Sequence, residues 1–238
     1  MLSSRLVSPA RTGFRAVLSH AAASEGSRLP PPPPPPTAMH AAAAAAAATQ
    51  GKHMLQALSD GALMNDAFVE QIVAQRLCKP DCYASGWILD GFPRSVNQAR
   101  RLMDGPWRPA VAVELAVDKH CLEKRLLLRG ERFGRADDCA SVIERRLHEF
   151  ERYAHDVKNV LAERELPIVS VRATERDAEH TVFDAVREAV GDARRVLIMG
   201  APGCGKGTQA VLLSAQNGCV HVSSGDLLRN LQSASRAP

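Results

Sequence analysis

The residues best suited to chemistry lie in a glycine-rich segment that follows an apolar run and precedes a helical pattern, Gly200-Ala201-Pro202-Gly203-Cys204-Gly205-Lys206-Gly207-Thr208. Glycines let such a backbone curl until its amides point inward at phosphate oxygens, and the following helix adds its positive N-terminal end. Lys206 would then reach the β- and γ-phosphates of a nucleotide. Phosphate-binding loops usually carry Ser or Thr directly after the lysine, whereas Gly207 stands there in this chain and Thr208 follows. A glycine turn without function is the weaker interpretation, because the glycines, the lysine and the strand–helix context occur together.

A second candidate segment, Asp90-Gly91-Phe92-Pro93-Arg94, follows another short apolar run, and Gln98 lies four residues beyond it. An acid at the end of a buried strand is suited to holding magnesium through water, close to a phosphate loop. Gly91 and Pro93 predict a turn that presents Arg94. A solvated turn at a strand end would explain any one of these residues, but it explains the whole set poorly.

A third segment, Ser223-Ser224-Gly225-Asp226-Leu227-Leu228-Arg229, follows the last apolar run of the chain. Ser224 and Asp226 could cap a helix, and capping would explain the segment by structure alone. Taken by itself, the segment is therefore a weak indication of a site.

Four arginines recur over one stretch of the chain, interleaved with Asp137 and Asp138: Arg125, Arg129, Arg135 and Arg146. One interpretation is the solvated face of a helix. The other is a basic flap that closes over a triphosphate. Phosphoryl transfer favours such a flap, because it needs positioning, charge neutralisation and exclusion of water more than covalent help from the protein.

The elements that would position these motifs alternate between short apolar runs and helical patterns. Five apolar runs predict strands, at residues 87–89, 111–115, 167–171, 196–199 and 219–222. Between them, apolar residues recur at helical spacing, as in Val69, Ile72, Val73 and Leu77. Short strands separated by helices predict an α/β domain with a parallel sheet covered by helices on both faces.

Taken together, the four motifs resemble those of the adenylate kinase family, over roughly residues 50–232. The resemblance implies an enzyme that transfers the γ-phosphoryl group of Mg-ATP to AMP reversibly, giving two ADP. Mg2+ would be its cofactor, and ATP, AMP and ADP its partners. The implied fold is a P-loop NTPase-type five-stranded parallel sheet flanked by helices, with a small AMP-binding arm and a short lid.

By position, the resemblance implies roles for individual residues of this chain. The implied ATP-binding residues are Gly203, Cys204, Gly205, Lys206, Gly207, Thr208 and Arg129. The implied AMP-binding residues are Ser224, Arg229, Ala62, Leu63, Met64, Gly91, Phe92, Pro93, Arg94, Gln98, Arg135 and Arg146. The implied catalytic residues are Lys206, Arg94, Arg129, Arg135, Arg146 and Asp90, and Asp90 would also hold Mg2+ through water.

The lid implied by the resemblance, at about residues 129–146, is short. Between Arg129 and Arg146 there is no room for a long lid insert, and Cys139 alone could act there as a soft metal ligand. We therefore expect a lid without zinc.

The specificity for the acceptor base depends on Gln98. An amide side chain can pair with both the N6 donor and a ring-nitrogen acceptor of adenine. Relatives that use UMP or CMP usually show Asn in this neighbourhood, and Asn97 directly precedes Gln98 in this chain. AMP is therefore the favoured acceptor, and UMP or CMP is the alternative.

Residues 1–50 differ in composition from the body at residues 51–238. They contain an uninterrupted proline run at 30–36 and an alanine run at 41–48, and residues 1–24 include three arginines and no acidic residue. The start is typical of a mitochondrial transit peptide. A disordered low-complexity leader explains it equally well, so a cytoplasmic or a mitochondrial location is expected.

Composition points to neither a membrane nor a nucleic acid as a partner. No apolar run approaches the roughly 18 residues of a membrane span. The net charge of +4 is mild, and a protein that handles polyphosphates needs arginines in any case. The six cysteines are scattered, and we expect reduced thiols in an intracellular protein.

The order of the motifs departs from that of the resembled family, which begins with the phosphate loop. Here that loop comes last, and the family's end near Val190 runs into its beginning at Arg195 through four residues. The AMP-binding arm would be split between residues 51–78 and 223–238. One interpretation is a circular permutant, expected to be a monomer. The non-overlapping coverage slightly favours it.

The other interpretation of the motif order is a piece of a tandem kinase array, or a faulty gene model. Such a piece would fold only if its two parts close on each other or if two chains exchange them. From another functional class, a non-catalytic nucleotide-binding fragment is the alternative to an enzyme.

Overall fold

The computed structural model describes residues 66–133, 139–175 and 177–236. The low-complexity leader, the predicted AMP-site residues Ala62, Leu63 and Met64, and the predicted lid arginine Arg135 lie outside these ranges. None of the helices in the described ranges is both long and apolar enough to span a bilayer.

The described residues form an α/β domain around one five-stranded sheet in which every neighbouring pair of strands is parallel. The strands are β1 (Trp87–Asp90), β2 (Val111–Val117), β3 (Ile168–Ala173), β4 (Arg195–Gly200) and β5 (Val220–Ser223). Their order across the sheet is β3-β2-β4-β1-β5. The predicted fold class is confirmed. All five predicted strands are present, although β2 and β3 each continue two residues further than their apolar runs suggested.

Helices join the strands and cover both faces of the sheet. They are α1 (Asp66–Leu77), α2 (Pro80–Ser85), α3 (Val96–Asp104), α4 (Lys119–Phe133), α5 (Ala140–Glu163), α6 (Glu179–Val190), α7 (Lys206–Asn217) and α8 (Ser224–Arg236). Every βα connection thus carries a helix, as parallel strands require, because a parallel crossover needs a dozen or more residues.

The alternation of side chains along each strand divides the core into two layers. Within β4, Val196 and Ile198 pack into one apolar cluster, and Leu197 packs into the other. The first cluster includes Leu126 of α4, and the second includes Val73 of α1. Both faces of β4 are therefore buried, which explains why its sequence is a continuous apolar run. Each fully buried side chain of this size stabilises the fold by about 1.5–3 kcal/mol.

Two separate parts of the chain, residues 66–190 and residues 195–236, contribute strands to this sheet. Strand β4, from the later part, lies between β2 and β1 of the earlier part. Ile198 pairs with both Asp90 and Val113, so the central strand is hydrogen-bonded on both sides to the earlier part. Within one chain, residues 66–190 and 195–236 thus close into one core.

The parallel arrangement sets where the chemistry must lie. Because all strands run the same way, their carboxyl ends meet at one edge of the sheet, where ligands bind in open α/β folds. The Asp90, Gly200 and Ser223 ends of β1, β4 and β5 are neighbours at this edge. These are the starting points of the three segments that the sequence analysis singled out.

Candidate active site

A cavity of about 690 Å³ opens at the carboxyl edge of the sheet. Its walls come from all five strands and from α4, α5, α6, α7 and α8. The predicted site residues that line it are Asp90, Gly91, Phe92, Pro93, Arg94, Arg129, Arg146, Gly203, Cys204, Gly205, Lys206, Gly207, Thr208 and Arg229. Of the predicted site residues that the structure describes, Ser224 and Gln98 do not line it. The hydrogen bonds that these two side chains make are described below.

The loop between β4 and α7 has the backbone conformation that its glycines predict. Gly203 has φ +83°, in the left-handed region that side chains rarely adopt, and a Cβ atom there would lie 2.9 Å from Cγ of Leu126. Gly205, with φ +100°, directly precedes Lys206, the first residue of α7. The loop therefore ends at a helix N-terminus, where backbone amides that lack an intrahelical partner face the cavity. Such an end is suited to binding a phosphate.

The ammonium group of Lys206 lies inside the curl of this loop. Its Nζ donates to the carbonyl oxygens of Gly200 and Ala201, each at 2.9 Å, and lies 3.6 Å from Sγ of Cys204. These contacts hold the lysine at the base of the cavity, at the end of β4. A phosphate in the loop would meet a fixed positive charge as well as the backbone amides.

Asp90 brings a carboxylate beside this loop. Its side chain is 13% exposed at the end of β1, and its Oδ2 lies 3.8 Å from Nε2 of His221 in β5. The same Oδ2 lies 3.8 Å from where a Cβ atom of Gly207 would be, so Asp90 reaches the first turn of α7. Hard oxygen donors next to a phosphate loop fit Mg2+, which keeps most of its waters and needs few protein ligands.

The turn after Asp90 contains a cis peptide bond between Phe92 and Pro93. Two hydrogen bonds to one acceptor hold this turn in place. The carbonyl oxygen of Gly91 accepts from Nε of Arg94 and from Oγ of Ser224, each at 2.7 Å. Arg94 lines the cavity. Ser224, predicted as an AMP-site residue, is 2% exposed and supports this turn from behind.

Gln98 is not among the residues that line the cavity, and its side chain is 3% exposed. Its Oε1 accepts from the backbone N–H of Arg94 at 2.6 Å, and its Nε2 donates to Oδ1 of Asp66 at 2.9 Å. Both ends of the amide are therefore already hydrogen-bonded within the protein.

Three further arginines reach the cavity from the two helices that precede and follow residues 134–138. Arg125 and Arg129 come from α4, and Arg146 comes from α5. Tyr153, also on α5, lies in the same wall, and burial raises the pKa of its hydroxyl although the charges of Arg94 and Arg146 oppose that shift. The tyrosine is therefore a neutral neighbour of these arginines at physiological pH.

The start of α8 differs from the prediction made for it. The hydroxyl of Ser223, and neither Ser224 nor Asp226, caps the helix by accepting from the backbone N–H of Asp226 at 3.2 Å. The capping prediction was therefore wrong by one residue. Asp226 instead forms an ion pair with Arg229 one turn along the helix. Burial raises the pKa of the Asp226 carboxyl, but the hydrogen bond and charge of Arg229, together with the hydrogen bond to Ser223 and the charge of His221, lower the net pKa.

Sequence reasoning missed several residues at this site. His221, Tyr153 and an ion pair between Glu114 and Lys158 all line the cavity, and Asp66 holds Gln98 from outside it. The place of His221 in the sequence could have predicted its position in the cavity wall. It lies in the predicted strand at 219–222, two residues before Ser223, and residues two apart on a strand point to the same face. The other contacts join residues far apart in sequence and leave no local pattern.

Comparisons with known proteins agree with these features. A protein-family model described as adenylate kinase matches residues 37–165, which is more than half of the chain. A second model, described as an AAA domain, matches residues 199–237. The second match covers the phosphate loop and α8. The first covers the turn after Asp90 and the cavity-lining arginines Arg94, Arg125, Arg129 and Arg146.

Three curated relatives illustrate the extent of the similarity. An adenylate kinase of Bifidobacterium longum (strain NCC 2705) is 36% identical over 124 residues, which cover 48% of this chain and 65% of that protein. Adenylate kinases of Chelativorans sp. (strain BNC1) and Brucella melitensis biotype 1 are 37% and 38% identical over 110 and 111 residues, each covering 42% of this chain and 56% of the relative. The chain thus spans between about half and two thirds of these relatives. No solved structure matches it.

Proposed function

The chain belongs to the adenylate kinase family, and from this premise we propose that it transfers the γ-phosphoryl group of Mg-ATP reversibly to AMP, giving two ADP. The observation that carries the proposal is the convergence of two separate segments on one cavity, one bringing Lys206 and the other bringing Asp90 and Arg94. A charged lysine, a carboxylate and an arginine around one phosphate-sized loop are the parts that phosphoryl transfer requires.

On the donor side, the loop and the start of α7 hold the β- and γ-phosphates. The backbone amides at the N-terminus of α7 bind the oxygens, and Lys206 places its charge against them. To do so, Nζ exchanges its bonds to the carbonyls of Gly200 and Ala201 for bonds to phosphate oxygens. Those carbonyls keep the ammonium group in the loop before the nucleotide binds, so little reorganisation is needed.

On the acceptor side, Arg94 and Arg229 bind the phosphate of AMP. The Gly91 carbonyl fixes Nε of Arg94, and the remaining N–H groups of its guanidinium can bind phosphate oxygens in a fork. Helices α1 and α8 pack against each other, and we assign them to the AMP-binding arm. Residues 62–64, Arg135 and Gln98 complete the proposed AMP site.

Mg2+ fits beside Asp90, which would hold it through water. When bound there, Mg2+ would supply positive charge that offsets the negative charge developing on the phosphates during transfer. Nε2 of His221 lies 3.8 Å from Oδ2 of Asp90, so β5 packs against the residue that we assign to the proposed metal site.

Arg129 and Arg146 surround the transferring group from α4 and α5. The end of α4 and the start of α5 belong to the proposed lid at residues 129–146, and its closure would exclude water and complete the positive charge around the phosphoryl group. Exclusion of water also protects ATP from hydrolysis, since the acceptor must then be AMP.

A coupled assay for ADP on the purified chain tests the function. We expect ADP to form only when ATP, AMP and Mg2+ are all present, at two ADP for each AMP consumed. Formation of ADP from ATP without AMP would indicate a hydrolase. Nucleotide binding without ADP formation would show a non-catalytic nucleotide-binding protein, and equal rates with CMP or UMP would favour the pyrimidine alternative.

A further inference from the structure

We propose that Asp66 is a specificity-positioning residue, whose carboxylate fixes the amide of Gln98 in the orientation that pairs with adenine and rejects a 6-oxopurine. The inference rests on the proposed function, because it concerns the acceptor base of that reaction. It gives a role to a carboxylate that stands 32 residues from its partner in the sequence and belongs to none of the four motifs.

The two neighbours of the Gln98 amide require opposite ends of it. The backbone N–H of Arg94 can only donate, so it needs the carbonyl oxygen, which lies 2.6 Å away. The carboxylate of Asp66 can only accept, so it needs the amino group, which lies 2.9 Å away. Rotating the amide by a half turn would set donor against donor and acceptor against acceptor. In a side chain that is 3% exposed, water cannot relieve either conflict.

The fixed amide has the hydrogen-bonding capacity that adenine needs. After its two contacts within the protein, Gln98 retains one N–H hydrogen and one lone pair on Oε1. Adenine presents an N6 amino donor next to a ring-nitrogen acceptor, so both can be paired. A 6-oxopurine presents an oxygen in place of the amino group, and that oxygen would meet Oε1 of Gln98. The orientation imposed by Asp66 therefore favours adenine over hypoxanthine or guanine.

Asp66 is itself held in place for this task. Its second oxygen accepts from Oγ of Ser95, and the same Oγ caps α3 by accepting from the backbone N–H of Gln98 at 3.2 Å. The carboxylate thus bridges the first residue of α1 and the N-terminus of α3. Since α1 packs on α8, the same contact couples the orientation of the amide to the position of the proposed AMP-binding arm.

A purely structural role for Asp66 would be to attach α1 to α3. A second contact between the same helices does this without touching Gln98: NH1 of Arg101 donates to Oε2 of Glu70 at 2.6 Å. Glu70→Gln is therefore a matched control, because it weakens the attachment of α1 to α3 and leaves the amide of Gln98 alone.

The test measures the ratio of kcat/KM for AMP to that for inosine monophosphate, with ATP as donor. We expect Asp66→Ala and Asp66→Leu to lower this ratio by about fivefold or more, since one bidentate base contact discriminates by roughly that amount at least. Asp66→Asn should keep most of the wild-type ratio, because its amide oxygen can still accept from Nε2 of Gln98. KM for ATP and Tm should change little. Glu70→Gln should keep the wild-type ratio. In a Gln98→Ala background, Asp66→Ala should have no further effect on the ratio, because Asp66 acts through Gln98.

The same ratio measured as Kd, by calorimetry without turnover, separates this inference from the proposed function. If the chain binds AMP and forms no ADP, the proposed function fails and the Kd ratio still tests Asp66. A ratio that stays within about twofold of wild type in both Asp66→Ala and Asp66→Leu overturns the inference. So does an equal loss in Glu70→Gln, or a wild type that does not discriminate between the two nucleotides.

Discussion

Lys158 on α5 donates to both carboxylate oxygens of Glu114 in β2, over distances of 2.8 and 2.9 Å. The two side chains are 38% and 18% exposed and lie in the wall of the cavity at the carboxyl edge of the sheet. Since β2 belongs to the sheet and α5 continues toward the proposed lid, the pair fixes the position of a helix that carries Arg146. The ion pair between Glu114 and Lys158 thus contributes both to the packing of α5 on the sheet and to the charge of the cavity wall.

Removing one member of this pair should destabilise the fold. We expect Lys158→Met to lower the free energy of unfolding by about 1–2 kcal/mol, because it leaves a half-buried carboxylate without its partner. The double variant with Glu114→Gln should recover part of that loss, with a coupling energy of about 1 kcal/mol in urea unfolding. Arg187→Met, which removes an exposed pair with Asp184 on α6, should cost about 0.5 kcal/mol or less. A coupling energy near zero would contradict a structural role for the pair.

The main features of the fold could be predicted from local patterns. The apolar run at 196–199 lies within the buried central strand β4, and the glycines after it take the positive φ angles that a curled loop requires. Both signals are local, because strand period and turn chemistry are set by residues close together in sequence. Parallel strands then bring their carboxyl ends to one edge, so the convergence of Asp90 and Lys206 could be predicted as well.

The contacts that could not be predicted join residues distant in sequence. Glu114 and Lys158 are 44 residues apart, and Asp66 and Gln98 are 32 apart. A charged residue on a helix gives no indication of its partner, because most such residues face solvent. The cap on α8 shows the limit of a local signal too. Ser223 and Ser224 are adjacent and have the same capping propensity. Ser224 donates to the carbonyl of Gly91, and Ser223 is the residue that caps the helix.

Lys206 provides the most direct test of the phosphate loop. Lys206→Met should leave the fold intact and lower turnover by on the order of a thousandfold, about 4 kcal/mol of transition-state stabilisation. The removed charge acts where charge develops during transfer, so the loss should appear in kcat more than in KM. Lys119→Met is the matched control, because Lys119 is exposed at the start of α4 and does not line the cavity. A Lys206→Met enzyme with wild-type turnover would refute the assignment.

The cysteines should differ in reactivity with iodoacetamide. Cys139 is exposed, and hydrogen bonds from the backbone N–H of Val142 and from Ser141 lower the pKa of its thiol. Burial raises the pKa of Cys82 to about 11. The thiolate is the reacting form, so at pH 7.5 Cys139 should be alkylated first and Cys82 should react only on unfolding. Peptide mass spectrometry over time measures both rates, and Cys139→Ser should remove the fast step. Equal rates at the two thiols would contradict the prediction.

The last prediction concerns the order of the segments, and its basis is the distance along the chain between the two parts of the proposed AMP-binding arm. Helices α1 and α8 pack together, yet residues 78–223 lie between them in the chain. The ATP side is different, because β4, the phosphate loop and α7 are continuous. Ordering the arm should therefore cost more conformational entropy than ordering the donor site, and AMP binding must offset that cost.

A rearranged chain tests this argument directly. Residue 238 is joined to residue 50, and the chain is opened between Gly191 and Asp192. This opening spares the neighbouring sheet contacts, since the backbone N–H of Trp87 donates to the carbonyl of Arg194 beyond the cut, at 2.7 Å. We expect AMP affinity to rise by about three- to thirtyfold, or 0.6–2 kcal/mol, with ATP affinity little changed. Light scattering should show monomers for both chains. An unchanged AMP affinity would refute the entropic argument, and activity confined to an exchanged dimer of the original chain would favour the tandem-fragment interpretation.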